Sequence, residues 1–138
     1  MKLQLTRRAD YAIRAMLALA EAAPGELLSV RRIATGQAIP ERFLPAIMGD
    51  LGRHGLVEAT VGRNGGYRLR RPAAEISARD VIEAIEGDGR RQRCVLHDQA
   101  CTTLEACSAH EVFVGAQDAM LGALEAATLR DMSARTSG

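Results

Sequence analysis

Two short runs in the middle of the chain constrain it most. Leu56-Val57-Glu58-Ala59-Thr60-Val61 alternates in the manner of a strand, and Tyr67-Arg68-Leu69-Arg70 returns as a second. Between them Gly62-Arg63-Asn64-Gly65-Gly66 supplies residues that tolerate positive φ, so the spacing predicts a tight hairpin with Arg63 and Asn64 at its tip. The residues before it read as a short helix, a tight turn and a second helix. A helix-turn-helix followed by a two-stranded hairpin is a winged unit. The expected fold class is therefore mostly α with a small β-hairpin.

Helical periodicity fills in the rest. A first helix is expected from about Arg7 to Ala23, capped by Thr6, stopped by Pro24-Gly25 and buried along Ile13, Met16, Leu17 and Ala20. Ser29 caps a short helix over Val30–Thr35 with Val30, Ile33 and Ala34 facing inward, and Gly36 is expected to end it. After Gln37-Ala38-Ile39, Pro40 suits the first position of a third helix whose apolar face is Phe43, Leu44, Ile47, Met48 and Leu51. Pro45 conflicts with that helix unless it lies in the first turn. Ser77 to Asp80 resembles a capping box with Asp in place of Glu, opening a helix to about Glu86 that buries Val81, Ile82 and Ile85.

One last helix is expected from about Ser108 to Met132, with Phe113, Ala116, Met120, Leu124 and Ala127 as a narrow apolar stripe. At such a length, roughly 36 Å, its stripe would outrun the winged unit. That favours burial against the same helix of a second copy over folding back on the first helix. The organisation read from sequence is a winged domain over 1–86, a cysteine-containing segment over 87–107 and a long dimerisation helix over 108–135.

Composition narrows the function classes. Hydrophobic residues make up 47% of the 138, so a core is possible, but aromatics are 3% and it must be built from aliphatic side chains. The chain has no apolar run long enough to span a membrane and no signal-peptide pattern, which places it in the cytoplasm as an expectation. The formal charge of +1 hides an asymmetry. Residues 1–71 carry 12 Lys and Arg against 6 Asp and Glu, whereas residues 94–138 carry 2 Arg against 6 acids. The basic half suits a polyanion. The chain contains no P-loop, dinucleotide fingerprint or HExxH motif, so no enzyme and no small-molecule substrate are expected.

The only three cysteines are Cys94, Cys101 and Cys107. An odd, clustered set in a reducing compartment points to metal or redox chemistry rather than a disulfide framework. Three readings stay open: an iron–sulfur cluster, a thiol switch aided by Arg90, Arg91 and Arg93, and a structural zinc site whose usual cysteine gaps are shorter than these.

Together these stretches resemble a known family. Leu5-Thr6, Ala9-Asp10-Tyr11-Ala12-Ile13-Arg14-Ala15-Met16, Ile39-Pro40-Glu41-Arg42-Phe43-Leu44, Gly55-Leu56-Val57, the wing Gly62 to Leu69, Ile76 to Glu86 and the cysteines are similar to the bacterial winged helix-turn-helix regulators typified by IscR and NsrR. The resemblance spans nearly the whole chain. It implies a homodimer binding double-stranded promoter DNA, acting as a repressor, and a [2Fe–2S] or [4Fe–4S] cluster on the three cysteines. It leaves the fourth ligand open. His110 matches the histidine of IscR-like members and Asp10 the aspartate of NsrR-like members, with His97 or an external ligand as further possibilities. The six-residue gap between Cys94 and Cys101, where five is common, leaves the cluster type open.

For DNA, Arg42 is the expected base reader, because Arg pairs bidentately with guanine. Glu41 could accept from cytosine or favour the helix N-terminus. Arg31, Arg32, Arg7 and Arg8 suit phosphates, and Arg63 with Asn64 suits a minor groove.

Overall fold

The computed structural model describes residues 5–87 and 110–136. In order they form α1 (Arg7–Glu21), α2 (Val30–Gln37), a 3₁₀ turn (Glu41–Phe43), α3 (Leu44–Arg53), β1 (Val57–Thr60), β2 (Gly66–Leu69), a second 3₁₀ turn (Ala73–Glu75), α4 (Ala78–Glu86), α5 (His110–Ala126) and α6 (Leu129–Thr136). The fold class is the expected one, a helical winged unit with one antiparallel hairpin.

α1 is central and packs against α2, α3, α4 and α6. Thr6 caps it, its Oγ1 accepting from the Ala9 amide at 3.2 Å. The buried seam is Ala9, Ala12, Ala15, Met16 and Leu19. Of the expected stripe only Met16 lies on it; Ile13, Leu17 and Ala20 are partly buried at its edges. Weighting the larger aliphatics displaced the reading from a face built mostly of methyl groups, which lets neighbouring helices approach closely.

α2 begins at the Ser29 cap and runs past Gly36. Ala38, at φ 53°, takes the left-handed position that ends it, and the Ala38 and Ile39 amides both reach the Ala34 carbonyl. This is a Schellman-type end, with Ile39 buried as its apolar contact. The third helix is divided rather than begun by Pro40. The Phe43 amide closes on the Pro40 carbonyl at 3.1 Å, and the α-helix proper starts at Leu44. Pro45 thus lies in the first turn of α3, where its missing amide has no helical acceptor to lose.

β1 and β2 pair with Val57 opposite Leu69 and Thr60 opposite Gly66. Sequence reading missed a third participant. Leu28 bridges Tyr67 with bonds in both directions, at 2.9 and 2.8 Å. A β-carbon on Gly66 would stand 2.7 Å from the Leu28 carbonyl, so glycine is required there by close approach.

The Ser77–Asp80 capping box forms in both directions and opens α4, which buries Ala78, Val81 and Ala84 while Ile82 and Ile85 are only partly covered. The single long final helix is not what forms. α5 ends at Ala126, and at roughly 1.5 Å per residue its 17 residues span about 25 Å. Thr128 and Asp131 make a second reciprocal cap at 3.2 and 3.1 Å. The intervening backbone is held by Ala78 donating to Ala127 at 2.8 Å and Leu129 donating to Ile76 at 2.9 Å. α6 therefore returns to the domain, with Leu129 fully buried in the core alongside Met16, Ile33, Leu44, Ile47, Met48, Leu51, Ile76 and Val81.

Leu129→Ala should lower unfolding free energy by roughly 2–4 kcal/mol, the range for a buried Leu truncation. Urea denaturation checks this. A loss under about 1 kcal/mol would mean that α6 is not part of the cooperative core.

Candidate nucleic-acid interface

The helix-turn-helix comprises α2, the 3₁₀ turn and α3. Leu44, Ile47, Met48 and Leu51 face the core, which turns Glu41, Arg42, Pro45 and Ala46 outward. Arg42 lies over the Phe43 ring at 4.8 Å, and Phe43 packs on Tyr11 of α1 with ring centroids 5.5 Å apart. The expected base reader is thus carried on an aromatic support rooted in the central helix. On the wing, Arg63 and Asn64 are exposed, and Val61 just before them is 97% exposed.

The arginines divide into two groups. Among the described residues Arg7, Arg31, Arg42 and Arg63 make no ion pair, and all four are exposed. Arg8 instead bonds Asp50 of α3 at 2.6 Å, and Arg53 engages the same carboxylate. Burial pushes the Asp50 carboxyl up, but the two guanidiniums outweigh it and hold it below its ordinary value. Arg32 bonds Glu26 at 3.2 Å. Glu26 is held below its ordinary value first by the Ala23 amide, which donates to it at 2.9 Å, and then by Arg32. His54 ends α3, with Nδ1 2.9 Å from the Asp50 carbonyl, consistent with a helix-end role.

Of the expected metal ligands, Cys94, Cys101, Cys107 and His97 lie outside the described residues, and so do Arg90, Arg91 and Arg93. His110 is the first residue of α5, and its side chain is outside the described ones. Among the described residues no group of three or more His, Cys, Asp or Glu gathers as a metal site.

Asp10 is placed and accessible, its side chain 45% exposed on α1. It receives a two-pronged contact from Arg14, with Nε to Oδ1 at 3.3 Å and Nη2 to Oδ2. Its hydrogen bond with Asp10 is the main cause that raises the Arg14 pKa. The same guanidinium donates to the Gln37 carbonyl at 3.3 Å and lies 5.5 Å from the Tyr11 ring. Gln37 is the last residue of α2, so Arg14 joins Asp10 to the turn of the helix-turn-helix. The sequence reading passed over Arg14, although Asp10 and Arg14 at i,i+4 is a readable pairing signal.

The cysteine-bearing segment departs from the same neighbourhood. Thr6, the cap of α1, donates its amide to Glu86 Oε1 at 3.0 Å, and Glu86 ends α4 one residue before Gly87.

A profile of the Rrf2 family, described as iron-dependent transcriptional regulators, matches residues 5–135. NsrR of Halalkalibacterium halodurans, an HTH-type transcriptional regulator, is 34% identical over 131 residues, 94% of this chain and 90% of that protein. A Mycobacterium tuberculosis chain named as an HTH-type transcriptional regulator, MT1325, is 42% identical over 85 residues, 62% of this chain; the match spans about half of that relative, 53%. Among solved structures, CymR of B. subtilis, the global cysteine regulator, superposes with a TM-score of 0.83 at 27% identity, covering 97% of this chain and 98% of that one. T. potens IscR gives 0.82 at 25%, covering 99% and 90%. With its helix-turn-helix, wing and flanking helices all inside the matched span, the chain belongs to the Rrf2 family of transcriptional regulators.

Proposed function

We propose that the protein is a dimeric repressor of promoter DNA, controlled by an iron–sulfur cluster on Cys94, Cys101, Cys107 and either Asp10 or His110. The observation that carries this reading is the Arg14 bridge from Asp10 to the Gln37 carbonyl. It connects a candidate ligand to the element that must fit the DNA. When bound, an iron–sulfur cluster supplies a centre whose ligation changes with redox state, nitric oxide or iron supply. A carboxylate is a weaker match than thiolate for such a centre, so Asp10 is the ligand most readily given up. In the described arrangement Arg14 divides its donors between Asp10 and Gln37. Drawing Asp10 away would leave Arg14 on the carbonyl at the end of α2, altering the restraint on the turn that precedes Arg42.

The unpaired cations Arg7, Arg31 and Arg63 would meet phosphates or the minor groove, with Asn64 beside Arg63. Arg42 and Glu41 would meet base edges. Arg8 and Arg32 serve the fold as well as any DNA contact, since each holds a carboxylate. The domain division becomes a winged unit over 1–86, a sensing segment over 87–107 and a C-terminal part over 108–135, interrupted at Thr128. On α5, Val112 is 70% and Met120 37% exposed on neighbouring faces, apolar side chains that the same helix of a second copy would cover, while Val114, 38% exposed, stands on another face. Among the described residues no helix is long and apolar enough to cross a membrane.

A second reading, a cysteine thiol switch without a cluster, draws support from the likeness to S. aureus CymR in its oxidized form, with a TM-score of 0.76 at 26% identity.

Anaerobic purification with iron and sulfide separates the two. The cluster reading expects visible absorbance with stoichiometric iron and sulfide, lost in Cys101→Ala. A protein that stays colourless, yet changes its DNA affinity on thiol oxidation, establishes the switch instead. Asp10→Ala and His110→Ala, compared spectroscopically, identify the fourth ligand. For DNA, the slope of log affinity against log salt should fall by about 0.9 for each phosphate contact removed. Arg31→Ala should show that loss. Asp50→Asn should instead lower stability by roughly 0.5–1 kcal/mol at neutral pH. Because the Asp50 pKa is depressed in the folded state, that difference should vanish as pH falls below the ordinary aspartate range. Val112→Asp should yield a monomer in sedimentation; a variant that remains dimeric would place the interface elsewhere.

A further inference from the structure

The outward stripe of the helix-turn-helix has an unusual chemical order. Glu41 and Arg42 stand at its start, on the 3₁₀ turn, and their i+4 neighbours are Pro45 and Ala46, both exposed. Gly49 continues the stripe one turn later. Asp50, the next polar side chain on α3, is held by Arg8 and Arg53. From Leu44 to Gly49 the helix therefore presents no side-chain hydrogen-bond donor or acceptor. The residues that ordinarily read bases from the first turns of a recognition helix are here an imino acid, a methyl group and a hydrogen.

Resting on the proposed DNA-binding role, we infer that this protein divides base reading between the 3₁₀ turn and an apolar step on α3: Arg42 selects a guanine, while Pro45 and Ala46 select adjacent thymines through their methyl groups. The major groove offers two kinds of feature to such a surface. Guanine presents paired acceptors that a guanidinium meets bidentately, and thymine presents a C5 methyl that apolar side chains contact. A polar pair would leave an adenine or cytosine edge satisfied; Pro45 and Ala46 cannot. Small side chains at 45, 46 and 49 also let the helix sit close to the base edges, where methyl contact is made. Phe43, braced by Tyr11, holds Arg42 at the end of this strip.

The test selects bound duplexes from a random pool with the full-length protein, in its iron- and sulfide-reconstituted and metal-free forms. The expected motif holds a G·C pair followed within a few steps by thymines. Replacing those thymines singly with uracil, which lacks only the methyl, should weaken binding roughly fourfold at each contacted position. Ala46→Asn should exchange the thymine preference at one base pair for adenine, which asparagine pairs bidentately. Arg42→Ala should abolish the guanine preference. A selected motif insensitive to uracil, with Ala46→Asn leaving its preference unchanged, overturns the inference while preserving the DNA-binding reading. Failure of both forms to enrich any duplex overturns that reading and the inference with it.

Discussion

The close packing of α1 is the constraint on which the rest depends. Four helices share its surface, and Ala9, Ala12 and Ala15 make that crowding possible by contributing only methyl groups to the seam. Met16 and Leu19 join the same buried cluster as Leu44, Ile47, Met48 and Leu51 of α3 and Val81 and Ala84 of α4. Because α2 and α3 are both set by α1, the helix-turn-helix has little freedom to move as a separate body. On the proposed reading, a signal would reach it through side chains at the edge of the seam. Asp10, Tyr11 and Arg14 are those side chains, half-buried on the same helix. A larger residue at Ala12 would separate the helices before it touched any functional group.

Much of this was legible in the chain. Thr6, Ser29 and the Ser77–Asp80 pair each predicted a helix start at the right residue, because capping is a local exchange between a side chain and amides a few positions away. The wing was equally plain. Errors arose where tertiary context decided between locally acceptable options. Gly36 looked like the end of α2, yet Ala38 accepts the left-handed conformation because Ile39 is pulled into the core. The final helix looked continuous because its apolar period persists through Ala127. The Thr128-x-x-Asp131 cap went unread, and pairing of Ala127 and Leu129 with the segment around Ile76 completes the break. Leu28 carries no strand signal alone and joins the hairpin through Tyr67. Of the candidate site, the arginines and Asp10 could be named from sequence; which arginines are already engaged could not, since Asp50 and Glu26 reach them through the fold.

That division of the arginines matters for electrostatics. Residues 1–71 carry a formal excess of +6, from 12 basic and 6 acidic side chains. Much of the acid is local. Asp50 and Glu26 lie within ion-pair distance of Arg8, Arg53 and Arg32, and Glu58 of Arg68 across the hairpin. Arg14 and Arg71 pair with Asp10 and Asp80, and the cations left without an ion pair among the described residues are Arg7 at the start of α1, Arg31 on α2, Arg42 on the 3₁₀ turn, Arg63 at the wing tip and Arg70 just after β2. The first four are at positions a winged helix-turn-helix turns toward a duplex.

The helices on either side of the cysteine segment, α4 and α5, belong to this framework. Glu86, at its entry, accepts the amide that begins α1. α5, which follows the segment, is held to α4 near its own C-terminal end by Arg79, whose side chain is only 16% exposed and bonds Glu83 at 2.7 Å and Glu125 at 3.1 Å. Under the proposed function, a change in the segment would have two routes out. One runs through Thr6 and Asp10 to Arg14, the end of α2 and the aromatic support of Arg42. The other would run along α5, where Val112 and Met120 are exposed and the proposed second copy would pack. Two half-sites on DNA must match both the pose of each recognition element and the distance between copies. On the proposed reading, a three-cysteine segment lying in sequence between α4 and α5 would alter both, which a sensor appended to either terminus would not.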